Sequence, residues 1–184
     1  MTRRVIALSG PPGAGKSTLA RGIAAHLGGV VVQYDDFEII TRWPPAQVIA
    51  WLDAGAPMEA AVAPGLREAV LALDGVVVLE TPIGRMCPVT GGLIDASIWL
   101  ECPDDLALAR KLSALARSGA GDAGFADMIA GWLEAYEMFT RRALLMQRTR
   151  VKPTADSEVL TAFAADIVLS RTLIALDAIF DVKI

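Results

Sequence analysis

Gly10-Pro11-Pro12-Gly13-Ala14-Gly15-Lys16-Ser17 is the stretch that decides how this chain folds. It fills every defined position of the pattern G-x-x-x-x-G-K-[ST]. Val5–Ser9 before it is a short apolar run ending in the Gly-rich turn, which predicts a strand. Lys16–Leu27 after it carries Leu19, Ile23 and Leu27 at four-residue steps, which predicts a helix. A glycine-rich turn between strand and helix lets backbone N–H groups converge on a phosphate without obstruction by Cβ atoms. The helix N-terminus adds roughly half a positive charge at that point. The residues Gly10, Pro11, Pro12, Gly13, Ala14, Gly15, Lys16, Ser17 and Thr18 are therefore the expected nucleotide cradle. Lys16 would reach the β- and γ-phosphates of ATP, and the Ser17 hydroxyl would hold Mg²⁺.

Outward from this loop, strand and helix patterns alternate. Gly28-Gly29 stops the first helix. Val30–Tyr34 predicts a second strand and Ser97–Glu101 a fourth. Between them Val76–Glu80 predicts a third, whose unbroken apolar run suits a strand covered on both faces. Pro44–Ala54 and Pro64–Leu73 predict helices opened by proline. Another helix runs from Pro103 to about Arg117, with Asp104 and Asp105 at its positive end. Ala126–Arg150 predicts a long amphipathic helix, Ala155–Ala164 a further helix and Asp166–Leu169 a last short strand. The pattern of Thr172–Ile184 suits either a helix or an edge strand. Alternation of this kind predicts an α/β fold, a mostly parallel sheet with helices on both faces. Nothing in the 184 residues marks a boundary, so one domain spanning 1–184 is expected.

Composition narrows the function. Apolar residues make up 54% and charged residues 21%, which excludes a disordered chain. Mean hydropathy is +0.46, yet no apolar run reaches the ~18 residues of a membrane span. A net charge of −4 gives no pull toward nucleic acid. Two cysteines and one histidine cannot build a disulfide framework or an ordinary zinc site. Too few apolar residues follow Arg3 and Arg4 for a secretory leader, so a cytoplasmic protein is expected. There is no asparagine, so the guanine-reading N-K-x-D motif of GTPases cannot exist here. The chain is also short for an AAA+ module with its lid domain. A small kinase on a phosphate-binding loop remains, with a nucleotide switch or partner-regulated ATPase as the rival class. The apolar content allows for a homodimer, though no stripe places its face.

The second strand ends in Gln33-Tyr34-Asp35-Asp36-Phe37. This resembles the aspartate-x-Phe element of the uridine kinase, nicotinamide riboside kinase and pantothenate kinase group of P-loop kinases. The resemblance spans roughly residues 5–118. It implies a P-loop NTPase three-layer sandwich with five strands in the order 2-3-1-4-5. It also implies ATP and Mg²⁺ as cofactors and a small-molecule hydroxyl as acceptor, nucleoside-like or polyol. Asp35 is then the candidate base, and Asp36 would support Mg²⁺ or a substrate hydroxyl, with Phe37 beside the acceptor. An antibiotic or a coenzyme precursor is an alternative acceptor.

Strand C-terminal ends form the ligand crevice of open α/β sheets. Glu80 ends the third strand and is expected to hold a metal-bound water or the substrate. The resembling families often have Glu-Gly there, whereas this chain has Glu80-Thr81-Pro82. Arg85 in the following loop, and Arg42 beyond the Asp-Asp-Phe element, are candidate acceptor contacts. Pro103-Asp104-Asp105-Leu106-Ala107-Leu108-Ala109-Arg110 resembles the start of the lid helix in the same group. That makes Arg110 a candidate for stabilising the transferring phosphoryl group. Arg117, seven residues on, shares its helix face and is a further substrate contact. A mobile lid around 110–125 is expected from Gly119, Gly121 and Gly124. Trp132, Tyr136 and the basic run Arg141–Lys152 suit a core-facing helix with cations at its C-terminal end better than a nucleic-acid surface.

Overall fold

The computed structural model describes residues 3–119 and 123–181. Five parallel strands form one sheet in the order β2-β3-β1-β4-β5. They are β1 (Arg4–Ser9), β2 (Val30–Gln33), β3 (Val76–Glu80), β4 (Ala96–Glu101) and β5 (Ser157–Leu160). The expected strand order is the observed one.

Side chains alternate across a strand, and both faces of this sheet are covered. Val5, Ala7, Val77, Leu79 and Trp99 point one way, into a core with Tyr34, Met58, Leu66, Val70, Ile83 and Val151. Ile6, Leu8, Val78, Ile98 and Leu100 point the other way. There they meet Leu19, Ala20 and Ile23 of α1 (Lys16–Leu27) and Val168 and Leu176 of α7 (Ala165–Phe180). The remaining expected helices are α2 (Pro45–Asp53), α3 (Leu66–Leu71) and α4 (Asp104–Gly119). Residues 120–122, with Gly121 of the expected lid, lie outside the described residues.

The long helix runs unbroken from 125 to 151. It consists of α5 (Phe125–Ala135), a π-helical segment Tyr136–Thr140, α6 (Arg141–Met146) and a second π segment Gln147–Val151. Most of its basic residues, and Lys152 just beyond it, are bound within the fold. Arg148 bonds Glu101 at 2.5 Å, Asp104 at 2.7 Å and the Cys102 carbonyl at 3.0 Å. Lys152 bonds Glu101 at 2.9 Å and Glu158 at 2.8 Å. Arg150 donates to the carbonyls of Gly55 and Ala56, and Arg142 pairs with Asp53. Hydrogen bonds from Lys152, Trp99 and Arg148 hold the Glu101 carboxyl below its ordinary range, although burial alone would raise it.

Two expectations near the C-terminus fail. Ala155–Ala164 is not a helix. It contains β5, paired with β4 from Ile98↔Ser157 to Glu101↔Leu160. Only Val159 of the four strand residues is buried, so the segment shows no strand periodicity. What places it is the Asp156 carboxylate, which accepts the Ser97 N–H at 2.7 Å. Asp166–Leu169 is not a strand but the first turn of α7. That helix buries Val168, Thr172 and Leu176 at four-residue steps and settles residues 172–180 as helical. Among the described residues no helix is long and apolar enough to cross a membrane.

Candidate active site

The register brings the chemistry to one end of the sheet. Leu8, Gln33 and Glu80 lie side by side on β1, β2 and β3. The Gly-rich loop starts two residues after Leu8, and Asp35 follows Gln33 by two. β1, flanked by β3 and β4, is the switch point of the sheet, where open α/β folds carry their ligands. A cavity of about 860 Å³ opens there. Its walls are the loop, Asp35, Glu80 and Pro82, α4, the 125–151 helix and the segment joining β5 to α7.

Gly13 has φ +87°, and a Cβ on it would lie 2.0 Å from the Ala107 carbonyl oxygen of α4. Loop and helix thus touch backbone to backbone. Gly15 has φ +93° and faces open space. The Lys16 ammonium donates to the carbonyls of Gly10 at 2.9 Å and Pro11 at 3.2 Å. Burial holds it below the ordinary lysine range; Glu80 and Asp35 oppose that shift and Lys111 adds to it. An arriving anion would relieve this.

The Ser17 hydroxyl donates to Glu80 Oε1 at 2.9 Å, while Glu80 Oε2 is buried without a hydrogen-bond partner. A hydroxyl and a carboxylate with a spare buried oxygen are hard ligands that suit Mg²⁺. Among the described residues no group of three or more His, Cys, Asp or Glu is arranged for a metal. Phosphate oxygens and waters would therefore fill most of the ion's shell, as is usual for Mg²⁺.

Asp35 stands on a 3₁₀ turn, Tyr34–Asp36. Tyr34 is buried, and its hydroxyl donates to the Ala61 carbonyl at 3.2 Å. Burial, helped by Cys87, Glu38 and Asp35, pushes that phenol well above its ordinary pKa and keeps it neutral. Phe37 packs against the same core. The buried Tyr34 ring and the half-buried Phe37 ring thus clamp the turn and present Asp35, exposed, to the cavity.

The other expected site residues divide. Arg110 and Arg117 of α4 both line the cavity, and Arg110 donates to the Thr161 carbonyl at 2.9 Å. Asp36 and Arg42 are exposed and outside the lining. Phe37 serves the core rather than the cavity. Arg85 turns away, donating to the Ile94 carbonyl at 2.7 Å and pairing with Asp156 at 2.5 Å, so it ties the β3–β4 connection to β5. Lining residues that sequence reasoning missed include Lys111, Thr140, Gln147 and Phe163. Phe163 carries the Arg171 guanidinium 4.1 Å from its ring centre. Gln147 brings a buried Oε1 with no partner.

A sequence model of the AAA family (ATPase family associated with various cellular activities) matches residues 6–69. The match ends inside α3, so it takes in the loop and Asp35 but not Glu80. No curated protein sequence matches the chain. Solved structures do. One protein from Thermus thermophilus, TT1252, aligns over 97% of this chain and 98% of its own, with TM-score 0.58 and 17% identity. Shikimate kinase from Acinetobacter baumannii aligns over 98% and 94%, with TM-score 0.55 and 19% identity. A gluconokinase from Sinorhizobium meliloti 1021 aligns over 97% and 94%, with TM-score 0.51 and 17% identity. The chain therefore has the fold of the P-loop kinases.

Proposed function

We propose that the protein is an ATP- and Mg²⁺-dependent kinase that transfers a phosphoryl group to a hydroxyl of a small molecule, nucleoside-like or polyol. The observation that carries this is Asp35. It is an exposed carboxylate on a clamped turn, at the same end of the sheet as the phosphate loop and lining the same cavity. A protein that only hydrolyses nucleotide would aim such a carboxylate at water, whereas a cavity of this size beside Asp35 has room for an acceptor molecule. The whole-chain likeness to structures named as shikimate kinase and gluconokinase supports the reading. So does the sequence resemblance to the uridine kinase group.

In this mechanism Lys16 exchanges its two loop carbonyls for phosphate oxygens. Ser17 and Glu80 would hold Mg²⁺, directly or through water, and would thereby supply positive charge to offset the phosphates. Asp35 takes the proton of the attacking hydroxyl. Arg110 and Arg117 lie on the cavity wall where charge spreads over the transferring group. Catalysis of this kind is mainly positioning and charge stabilisation.

The partial AAA match favours a second reading, a nucleotide-driven ATPase without a metabolite acceptor. ATP consumption with Mg²⁺, against pools of nucleosides, sugars, polyols and vitamin precursors, separates the two. A rise in ADP formation with one pool is the kinase outcome. Slow turnover indifferent to every pool is the ATPase outcome.

A further inference from the structure

The cations that line the cavity are gathered on two elements. They are Lys16 in the phosphate loop and Arg110, Lys111 and Arg117 on α4. In the reading above Lys16, Arg110 and Arg117 serve the triphosphate and the transferring group, while Lys111 also lines a small recess with Pro11, Pro12, Trp132 and Tyr136. Among the described lining residues, the wall supplied by Asp35 and the 125–151 helix contributes no cation. Its polar groups are the Asp35 carboxylate, the Thr140 hydroxyl and the Gln147 amide.

Cations do lie close to this wall in the chain, but they are committed elsewhere. Arg142 is on Asp53, Arg148 on Glu101 and Asp104, and Arg150 on the Gly55 and Ala56 carbonyls. Arg85 is on Asp156. Arg42 and Arg141 are exposed and outside the lining. Meanwhile Gln147 Oε1 is buried, lines the cavity and accepts nothing. A buried oxygen without a donor carries a desolvation cost that a ligand's O–H or N–H would remove. Thr140 and Gln147 lie in the two π segments, whose wider turns re-aim side chains and often mark functional positions.

We propose that the acceptor is an uncharged or cationic small molecule rich in hydroxyl or amino donors, held by the Gln147 amide oxygen, and that carboxylate- or phosphate-bearing acceptors are rejected. This rests on the kinase reading and narrows it. An anionic acceptor would place its charge beside the Asp35 carboxylate, while the Arg110 and Arg117 guanidinium groups are engaged by the transferring phosphoryl group. A site built to satisfy one hydrogen-bonding pattern rejects a ligand that leaves buried groups unpaired, here by roughly a hundredfold in kcat/KM.

The test uses the full chain and a small-molecule cell extract separated on an anion-exchange resin. The unretained pool holds neutral and cationic compounds, and the retained pool holds anions. Each pool is incubated with the protein, Mg²⁺ and ATP labelled on the γ-phosphate. Label transferred to compounds of the unretained pool is the expected result. Transfer only to the retained pool overturns the inference while leaving the kinase reading intact. Transfer to neither pool, by protein that binds ATP, overturns the kinase reading and this inference with it. With the acceptor from the active pool, Gln147→Leu should raise its KM about tenfold while the KM for ATP stays put. Gln147→Glu, which keeps an accepting oxygen, should restore much of the loss for an uncharged acceptor. A Leu variant that leaves the acceptor KM unchanged, or raises both KM values alike, removes Gln147 from the site.

Discussion

Gly13 and Gly15 stand two residues apart in one motif, and alanine should injure them in different ways. Both have φ near +90°, so an alanine at either position carries backbone strain of about 1–2 kcal/mol. At Gly15 that is nearly the whole cost to the fold, because the new methyl meets nothing within 4 Å. At Gly13 the methyl would lie 2.0 Å from the Ala107 carbonyl oxygen and 2.8 Å from its carbon. A comfortable carbon–oxygen contact is about 3.3 Å, so loop or helix must retreat by roughly 1.3 Å. These are backbone atoms, and α4 is tethered by Arg110 to Thr161 and by Asp104 to Arg148. Overpacking of this kind adds about 1–3 kcal/mol. For a chain of this length each kcal/mol moves Tm by roughly 2–4 °C. Gly13→Ala should therefore melt roughly 10 °C below the parent, and Gly15→Ala only about 4 °C below. Calorimetric ATP titration should show the converse emphasis, with Gly15→Ala folded but poor at binding. A Gly13→Ala protein as stable as the parent, or less destabilised than Gly15→Ala, would refute the close approach of loop and α4.

Asp35→Asn should lower kcat by about 10²–10⁴ while ATP affinity and Tm stay near the parent values, since the carboxylate is exposed; steady-state kinetics with an active acceptor checks this, and a near-normal rate removes Asp35 as the base. Arg85→Met should cost about 1–3 kcal/mol in denaturant unfolding, through its lost bonds to Ile94 and Asp156, without weakening ATP binding. A variant that keeps full stability but loses acceptor turnover would return Arg85 to the site. Glu101 has a folded pKa below its ordinary value, so its stabilisation is present above that ordinary value and fades as pH falls through the folded one. Lys152 is shifted upward by Glu158 and Glu101, so its contribution holds below the ordinary lysine pKa and fades as pH climbs past the raised one. Unfolding followed across pH should lose its acid-side slope in part in Glu101→Gln, and an unchanged slope would show that the cluster does not contribute.

What was legible in the sequence was whatever depends on neighbours in the chain. The phosphate loop is defined by consecutive residues, and strand ends mark Asp35 and Glu80 because an α/β sheet gathers its C-terminal edges. Arg110 was marked by the resemblance of its helix to a lid helix, and Arg117 by sharing its face. What failed depends on partners far along the chain. Arg85 looks free until Asp156, 71 residues away, comes to it. β5 buries one residue in four and takes its conformation from β4, so no local pattern shows it. Gln147 and Thr140 sit in π segments, where a 3.6-residue period assigns faces wrongly.

The strand order also governs how the protein can be made. β1 leaves the ribosome first, yet its two neighbours are β3 and β4, while β2, the next strand synthesised, never touches it. At ~5–20 residues per second the central strand waits several seconds for β3. Until then it carries Val5, Ile6, Ala7 and Leu8, all buried in the finished sheet, with both edges bare. α1 follows β1 directly and buries Leu19, Ala20 and Ile23 on Ile6 and Leu8, so it can cover one face early. The helix that later opens the phosphate site would thus first act as the nascent strand's guard against misassembly.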